Sequence, residues 1–185
     1  MVKVFGTLII FFALSASALA AAPAAEEFSA RLFMLPKGAS PVRGRIFVKG
    51  DKVRQETSGP DGAQIMVFRP DRKVTWMITG GGQVCLQMPY RASDNDFEEW
   101  KSIKATNPRF LGKETVCGLP CSKYQGAENG NETLFWIFER LSFPVKVDNQ
   151  DKTIEYTDVK QCRLDDSLFK IPPSCKKATI RIEPP

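Results

Sequence analysis

The chain is divided into short runs of alternating apolar and polar residues, separated by turns rich in glycine, proline and aspartate. The clearest run is Gly44 to Glu56, where Gly50-Asp51 separates two alternating segments. Because glycine reaches positive φ at no steric cost, this pair predicts a tight β-hairpin. Ile46 and Val48 then share one face of the first strand. A chain punctuated in this way favours an antiparallel β-sheet.

The same pattern predicts strands along most of the chain. They cover residues 28–35, 64–68, 73–79, 83–88, 112–116, 121–125, 132–138, 141–147 and 153–160. The segment 132–138 is apolar on both faces, so we expect it to be covered on both sides of the sheet. Residues 164–173 indicate a helical turn followed by an extended segment that contains proline.

One stretch, residues 93–104, departs from the strand pattern. Phe97, Trp100 and Ile103 recur at three-residue spacing, which predicts one short helix with a single apolar stripe. Such a helix either docks over the sheet as part of an ordinary core or forms a lid over a ligand groove. The sequence leaves both interpretations open.

The N-terminus has the features of a secretory signal peptide, residues 1–20. Lys3 precedes an apolar run, and Ala18-Leu19-Ala20 matches a small-residue cleavage site. The run is short for a spanning helix, so we expect an exported chain that is not an integral membrane protein after cleavage. Residues 21–27 are then a disordered lead-in, and residues 28–185 form a single domain.

The composition argues against several classes of function. The chain contains no histidine, so it lacks the usual general base and the commonest metal ligand. The net charge of +5 is spread along the sequence, which does not indicate a nucleic-acid partner. Asp165 and Asp166 precede a helical turn, where carboxylates serve as caps more often than as catalytic acids. We therefore expect no enzyme activity, no metal and no cofactor.

Five cysteines follow the predicted signal peptide: Cys85, Cys117, Cys121, Cys162 and Cys175. In an exported protein they indicate disulfides first and a four-cysteine zinc site second. The pairing that closes the shortest loops joins Cys117 to Cys121 and Cys162 to Cys175, and it leaves Cys85 unpaired. The second bond would close a loop of about 14 residues, worth roughly 3 kcal/mol. The sequence does not fix the connectivity.

Four segments share a characteristic order: Gly44–Glu56 with Val-Lys-Gly-Asp-Lys-Val-Arg, Arg69–Lys73 followed by Trp76, Gly112–Val116, and Asp165–Pro172. Together they resemble a bacterial family of exported domains of unknown function, related in fold to the outer-membrane lipoprotein-sorting carrier LolA. The resemblance covers about residues 28–177. It implies a mainly β fold, a strongly curved antiparallel sheet or incomplete barrel with one or two short helices over its concave side. It also implies a periplasmic location.

The resemblance further implies a non-enzymatic binding protein for an apolar ligand, such as a lipid, an acyl chain or a lipoprotein, held in the concavity. By strand alternation, the expected lining is Ile46, Val48, Val67, Trp76, Ile78, Leu86, Met88, Phe135 and Ile137. Phe97, Trp100 and Ile103 would form the lid. These side chains could equally fill an ordinary core. The alternative function is an envelope protein-interaction or stress-sensor module without a lipid ligand.

Basic residues surround the first hairpin: Arg43, Arg45, Lys49, Lys52 and Arg54. They either contact anionic headgroups at the mouth of a groove or form the solvated face of an edge hairpin. At an edge, charge discourages pairing with another sheet. The second interpretation places this hairpin at the margin of the sheet.

Overall fold

The computed structural model describes residues 26–128 and 131–179. The predicted signal peptide and nearly all of the lead-in lie outside these ranges. The described strands are β1 (Glu27–Pro36), β2 (Val42–Lys49), β3 (Lys52–Gly59), β4 (Gly62–Arg69), β5 (Val74–Thr79), β6 (Val84–Pro89), β7 (Arg109–Val116), β8 (Leu119–Glu128), β9 (Asn131–Phe138), β10 (Phe143–Asn149), β11 (Lys152–Gln161) and β12 (Lys176–Thr179). The helix α1 spans Asp96–Ala105, and short 3₁₀ turns lie at Pro70–Arg72, Gly80–Gly82, Ala92–Asp94, Glu139–Leu141 and Asp166–Phe169.

All twelve described strands form one sheet, in the order β12-β6-β5-β4-β3-β2-β1-β11-β10-β9-β8-β7. Neighbours pair antiparallel except β12, which runs parallel to β6. Within the described ranges β7 and β12 are the outer strands, so the sheet does not close. The predicted fold class, a mainly antiparallel LolA-like incomplete barrel, is confirmed. Each predicted strand is present with ends shifted by a few residues, whereas β12 was not predicted.

The position of α1 requires the sheet to curve strongly. Trp100 of α1 packs on Phe135 of β9, with ring centroids 5.5 Å apart. The link from the end of β6 to Trp100 consists of residues 90–95 and the first turn of α1. Even when residues 90–95 are fully extended, this link reaches no more than about 25 Å. In a flat sheet, β6 and β9 would be eight strand spacings apart, or about 38 Å. The sheet therefore bends toward α1, which lies over its concave face.

The larger apolar core lies on the concave face. Directly paired residues point to the same side of a sheet, so the register assigns Phe28, Val48, Val53 and Phe68 to one continuous row. These four side chains are buried together with Trp100 of α1. On the far half of the sheet, formed by β9, β10 and β11, the same core includes Phe135, Ile137, Phe143, Val147, Ile154 and Tyr156.

A second core lies on the convex face, beneath residues 162–175, which we call the C-terminal strap. Leu164 and Phe169 of the strap are buried against Val67, Trp76 and Ile78. The strap therefore covers the convex face over β4 and β5, opposite the side on which α1 lies.

Three cationic side chains from adjacent strands hold the strap by its backbone. They donate hydrogen bonds from Lys49 Nζ to the Leu164 carbonyl at 2.9 Å, from Arg54 Nη1 to the Leu168 carbonyl at 3.0 Å, and from Arg69 Nη1 to the Phe169 carbonyl at 2.7 Å. The hairpin β2–β3 thus lies inside the sheet, and its assignment to an edge was wrong. Local charge suggested an edge, but Lys49 and Arg54 bind the strap instead.

The disulfide prediction was also wrong. Cys85 of β6 is bonded to Cys175 at the end of the strap, with Cα atoms 5.7 Å apart, while Cys117, Cys121 and Cys162 are free. Cys162 begins the strap, and the extended strap crosses several strands before it reaches Cys175.

The hairpin register explains why Cys117 and Cys121 do not pair. Cys117 lies in the β7–β8 turn, whereas Cys121 lies opposite Glu114 further along the hairpin. Short spacing in the sequence therefore does not bring these two thiols together. The bond that does form joins residues 90 positions apart. On the chain-entropy model, closing a loop of that length contributes about 4.5 kcal/mol.

We expect acid to loosen the strap before it disrupts the concave core. The Arg69 guanidinium lowers the pKa of Asp71 below its usual value of 3.8, and a hydrogen bond from Lys49 lowers the pKa of Asp166. Because both folded-state pKa values are depressed, this stabilisation is fully present above about pH 4. It is lost as the pH falls through the lowered values.

The measurement is tryptophan fluorescence against pH in a Trp136→Phe background, because the indole of Trp136 binds Glu114, whose pKa is also lowered. In this background Trp76→Phe and Trp100→Phe variants separate the strap from the concave core. The first spectral change below pH 4 should disappear in Trp76→Phe and persist in Trp100→Phe. Asp71→Asn should remove part of the acid dependence. A single transition reported equally by both tryptophans would contradict this order of events.

Candidate functional site

The concave face has a part that the helix and the larger core leave open. A register row runs from Gln55 through Met66 and Met77 to Leu86, across β3, β4, β5 and β6. This row continues the one that contains the buried Ile46, so it lies on the concave side. All four side chains in the row are partly exposed. We call Met34, Gln55, Met66, Met77, Leu86 and Met88 the open concave surface.

A concavity of about 620 Å³ lies over one end of this surface. Its lining combines side chains of the sheet with the turns at the ends of the strands. They are Met34, Val42, Gln55, Thr57, Gly59, Pro60, Asp61, Gly62, Ala63, Gln64, Met66, Thr79, Gly80 and Gly81. The volume falls in the range of pockets that hold small molecules.

Methionine is concentrated on this side of the sheet. Met66 lies opposite Met77, Met88 lies opposite Thr75 in the row of Phe68, and Met34 follows the buried Leu32 by two residues on β1. Every methionine in the described chain therefore lies on the concave side of the sheet, and Met34 and Met66 line the concavity itself. Its unbranched thioether side chain adapts to apolar partners of varied shape.

The structure divides the predicted lining residues among three environments. Ile46, Val48, Phe135 and Ile137 are buried in the concave core, with at most 1% exposure. Leu86 and Met88 belong to the open concave surface. Val67, Trp76 and Ile78 lie on the convex face beneath the strap. These three groups do not form one continuous surface.

The face of β4 and β5 was difficult to predict because both faces of these strands are apolar. Val67 pairs with Trp76, which pairs with Gln87, whereas Met66 pairs with Met77, which pairs with Leu86. The bulkier row faces the strap. Sequence reasoning missed the methionine row, although the presence of Met66, Met77 and Met88 on adjacent predicted strands was a signal for it.

The predicted lid residues have a packing role in this structure. Trp100 and Ile103 are 2% and 3% exposed, and Trp100 contacts both Tyr124 and Phe135. The side chain of Phe97 lies outside the described residues. Helix α1 contacts β8 and β10. It therefore covers the filled half of the concave face and leaves the methionine row open.

Several buried polar atoms on the concave side of the molecule have no hydrogen-bond partner. Within the described chain they include Thr75 Oγ1, the Tyr90 hydroxyl and Trp100 Nε1. The Tyr90 N–H donates to the Lys73 carbonyl at 3.1 Å, which places Tyr90 diagonal to Thr75 on the concave side. Burial raises the pKa of Tyr90 to about 12, so its hydroxyl stays a neutral donor. Orphaned buried groups of this kind call for a partner.

The neighbouring carboxylates Asp165 and Asp166 have structural partners. Asp165 accepts a hydrogen bond from the Ser167 N–H at 2.7 Å and caps the last 3₁₀ turn, as predicted. Asp166 pairs with Lys49 at 3.0 Å. Among the described residues, no group of three or more His, Cys, Asp or Glu could hold a metal ion. No described helix is long and apolar enough to cross a membrane.

Comparison with known proteins finds likeness in fold alone. No family model and no curated protein matches the chain. An uncharacterized conserved protein from Thermus thermophilus superposes with a TM-score of 0.63 and 12% identity, over 84% of this chain and 91% of that one. A chain of the Pseudomonas aeruginosa MucA/MucB complex superposes with a TM-score of 0.55 and 19% identity, over 84% of this chain. The present chain spans 59% of the length of that second chain.

A LolA superfamily protein from Nitrosomonas europaea is also among the matches. Its TM-score is 0.41 at 13% identity, over 80% of this chain and 91% of that one. This superposition is too loose to support an argument about the site. The likeness in fold therefore rests on the two superpositions with TM-scores above 0.5.

The contact between α1 and the sheet depends on Gly126 of β8. A Cβ atom at this position would lie 2.5 Å from Cγ2 of Ile103, so Gly126→Ala would push the helix away. We expect a loss of about 1–3 kcal/mol in the free energy of unfolding, measured by urea denaturation. Ile103→Ala removes the clashing group, so the double variant should lose less than the sum of the two single losses. Additive losses would show that Gly126 and Ile103 act independently.

Proposed function

We propose that this protein is a non-enzymatic binding protein of the bacterial envelope that holds a lipid or acyl chain on its open concave surface. The observation that supports the proposal is the row of partly exposed side chains, Met66, Met77 and Leu86, beside a filled core. A second core and the strap cover the convex face of β4 and β5, so these strands offer a ligand their concave side, where the row lies. A periplasmic location is part of the proposal and rests on the predicted signal peptide.

The energetics favour a flexible apolar ligand. Each methylene buried against such a surface contributes about 0.8 kcal/mol. Partial burial of an acyl chain therefore suffices for useful binding without a deep pocket. Methionine side chains adjust to chains of different length and unsaturation at low cost. The surface suits a class of related lipids better than one rigid molecule.

The buried polar groups without partners indicate which chemical group the polar head of the ligand should carry. Thr75, Tyr90 and Trp100 can each donate a hydrogen bond, which fits an acceptor such as an ester carbonyl. The negative charges of Glu98, Asp51 and Asp94 act on Tyr90 and disfavour an added anion there. We therefore expect an esterified, neutral head to bind more tightly than a free carboxylate.

Binding of a fluorescent monoacylglycerol to delipidated protein tests the proposal, with the matching fatty acid as the charged comparison. Met77→Gln places a polar group in the centre of the row and should weaken binding about fivefold. Leu35→Gln is the matched control, because Leu35 is 44% exposed on the convex side of β1. It should leave the affinity unchanged.

Two outcomes would count against a lipid ligand. One is the absence of binding by delipidated protein to either probe. The other is an equal loss of affinity in Met77→Gln and Leu35→Gln, which would place the probe away from the concave side. Tighter binding of the fatty acid would refute the preference for a neutral head while leaving the site itself intact.

A second candidate is an envelope protein-interaction or stress-sensor module. It is supported by the fold likeness to a chain of the MucA/MucB complex and by apolar side chains exposed on an outer strand, Phe110 and Leu111. Cross-linking in whole cells tests it. One dominant protein partner is expected, and a diffuse pattern of products would argue against this role.

A further inference from the structure

The outer strand β7 is an incompletely protected sheet edge. It pairs with β8 on one side, and in the described part of the chain no strand pairs with its other side. An outer strand presents unpaired N–H and C=O groups, which act as a template for an added strand. Most residues along Arg109–Val116 are exposed to solvent.

This edge exposes large apolar side chains where sheet edges usually carry only charge. Phe110 is 51% exposed and Leu111 is 38% exposed. The pairing of β7 with β8 is interrupted between Phe110 and Gly112, so Leu111 is an extra residue in a β-bulge. The regular part of the edge is therefore the segment from Gly112 to Val116, with the apolar pair at its start.

The strand β7 itself carries two cations, Arg109 and Lys113, and one carboxylate, Glu114. Glu114 already accepts hydrogen bonds from Lys123 at 3.0 Å and from Trp136 at 2.6 Å. By contrast, no ion pair within the described ranges engages Arg109 or Lys113. Two cations on the edge strand are thus free to meet anions of a partner.

A concavity of about 680 Å³ lies next to the regular part of the edge. Lys113 and Thr115 of β7 line it together with Leu119, Phe138 and Arg140, and so do the carboxylates of Glu114 and Glu139. Glu139 accepts a hydrogen bond from the Tyr124 hydroxyl, whereas no ion pair in the described chain engages Arg140. The concavity offers space for one apolar side chain of an added strand.

From this arrangement we propose that β7 is a docking site for an extended acidic segment of another protein, which adds to the sheet as a further strand. The backbone of residues 112–116 forms the ladder with the segment. Arg109 and Lys113 contact its carboxylates, and alternate apolar side chains contact Phe110, Leu111 and the concavity. This surface is separate from the open concave surface, so the lipid proposal and this one can fail independently.

The probe is a capped eight-residue peptide of alternating glutamate and valine, whose binding is followed by ¹⁵N NMR of the whole protein. The amide signals of residues 112–116 should shift and their hydrogen exchange should slow. A lysine–valine peptide should bind more weakly because it has the opposite charge. A glutamate–valine peptide methylated at every internal amide keeps the charge but cannot donate to β7, and it should not bind.

Charge-reversal variants provide the protein-side control. Arg109→Glu with Lys113→Glu should weaken the acidic peptide roughly fivefold, since each exposed ion pair contributes up to about 1 kcal/mol. Arg43→Glu with Arg45→Glu changes two exposed cations on the interior strand β2 and should have no effect. The proposal is overturned if residues 112–116 do not shift, if the methylated peptide binds equally well, or if both double variants weaken binding alike.

Discussion

The architecture depends on one buried cation, Arg69. The residue is 5% exposed, and its guanidinium donates to Asp71 through two nitrogens at 2.8 and 2.6 Å and to the Phe169 carbonyl at 2.7 Å. A buried charge is costly unless its donors are satisfied, and here a carboxylate and a carbonyl share that task. Because the carbonyl belongs to the strap, the buried guanidinium of Arg69 has all of these hydrogen-bond partners only when the strap is in place.

Because Arg69 needs the strap on the convex face, the two faces of the sheet have different roles. The convex face over β4–β6 is closed by the strap, the second core and the Cys85–Cys175 bond. The far half of the concave face is closed by α1. Rigid cover at these two places leaves the methionine-rich concave side of β3–β6 open. Because the strap holds the convex face, the sheet can keep its curvature while the methionine side chains of the concave face adapt to different partners.

Local chemistry was sufficient to predict much of the fold. The Gly50-Asp51 turn, the alternating strands and the apolar stripe with Trp100 each depend on neighbouring residues alone, and each is present. The face of Val67 and the pairing of Cys175 depend on where the strap crosses the sheet. Both faces of β4 are apolar and five cysteines allow many pairings, so no local pattern could decide either point. The interior position of the β2–β3 hairpin likewise follows from the pairing of β2 with β1 and of β3 with β4.

The pairing of β1 with β11 has a consequence for the order in which the fold is completed. The first strand finds one of its two neighbours only after residues 152–161 have been made, and β6 gains β12 later still. Contacts so distant along the chain make folding slow relative to a helical protein of equal size. Until residues 152–179 have been made, β1 and β6 each lack one neighbouring strand and are exposed edges of an incomplete sheet. The chain is therefore most vulnerable to aggregation before its C-terminus is available, whatever ligand the finished protein binds.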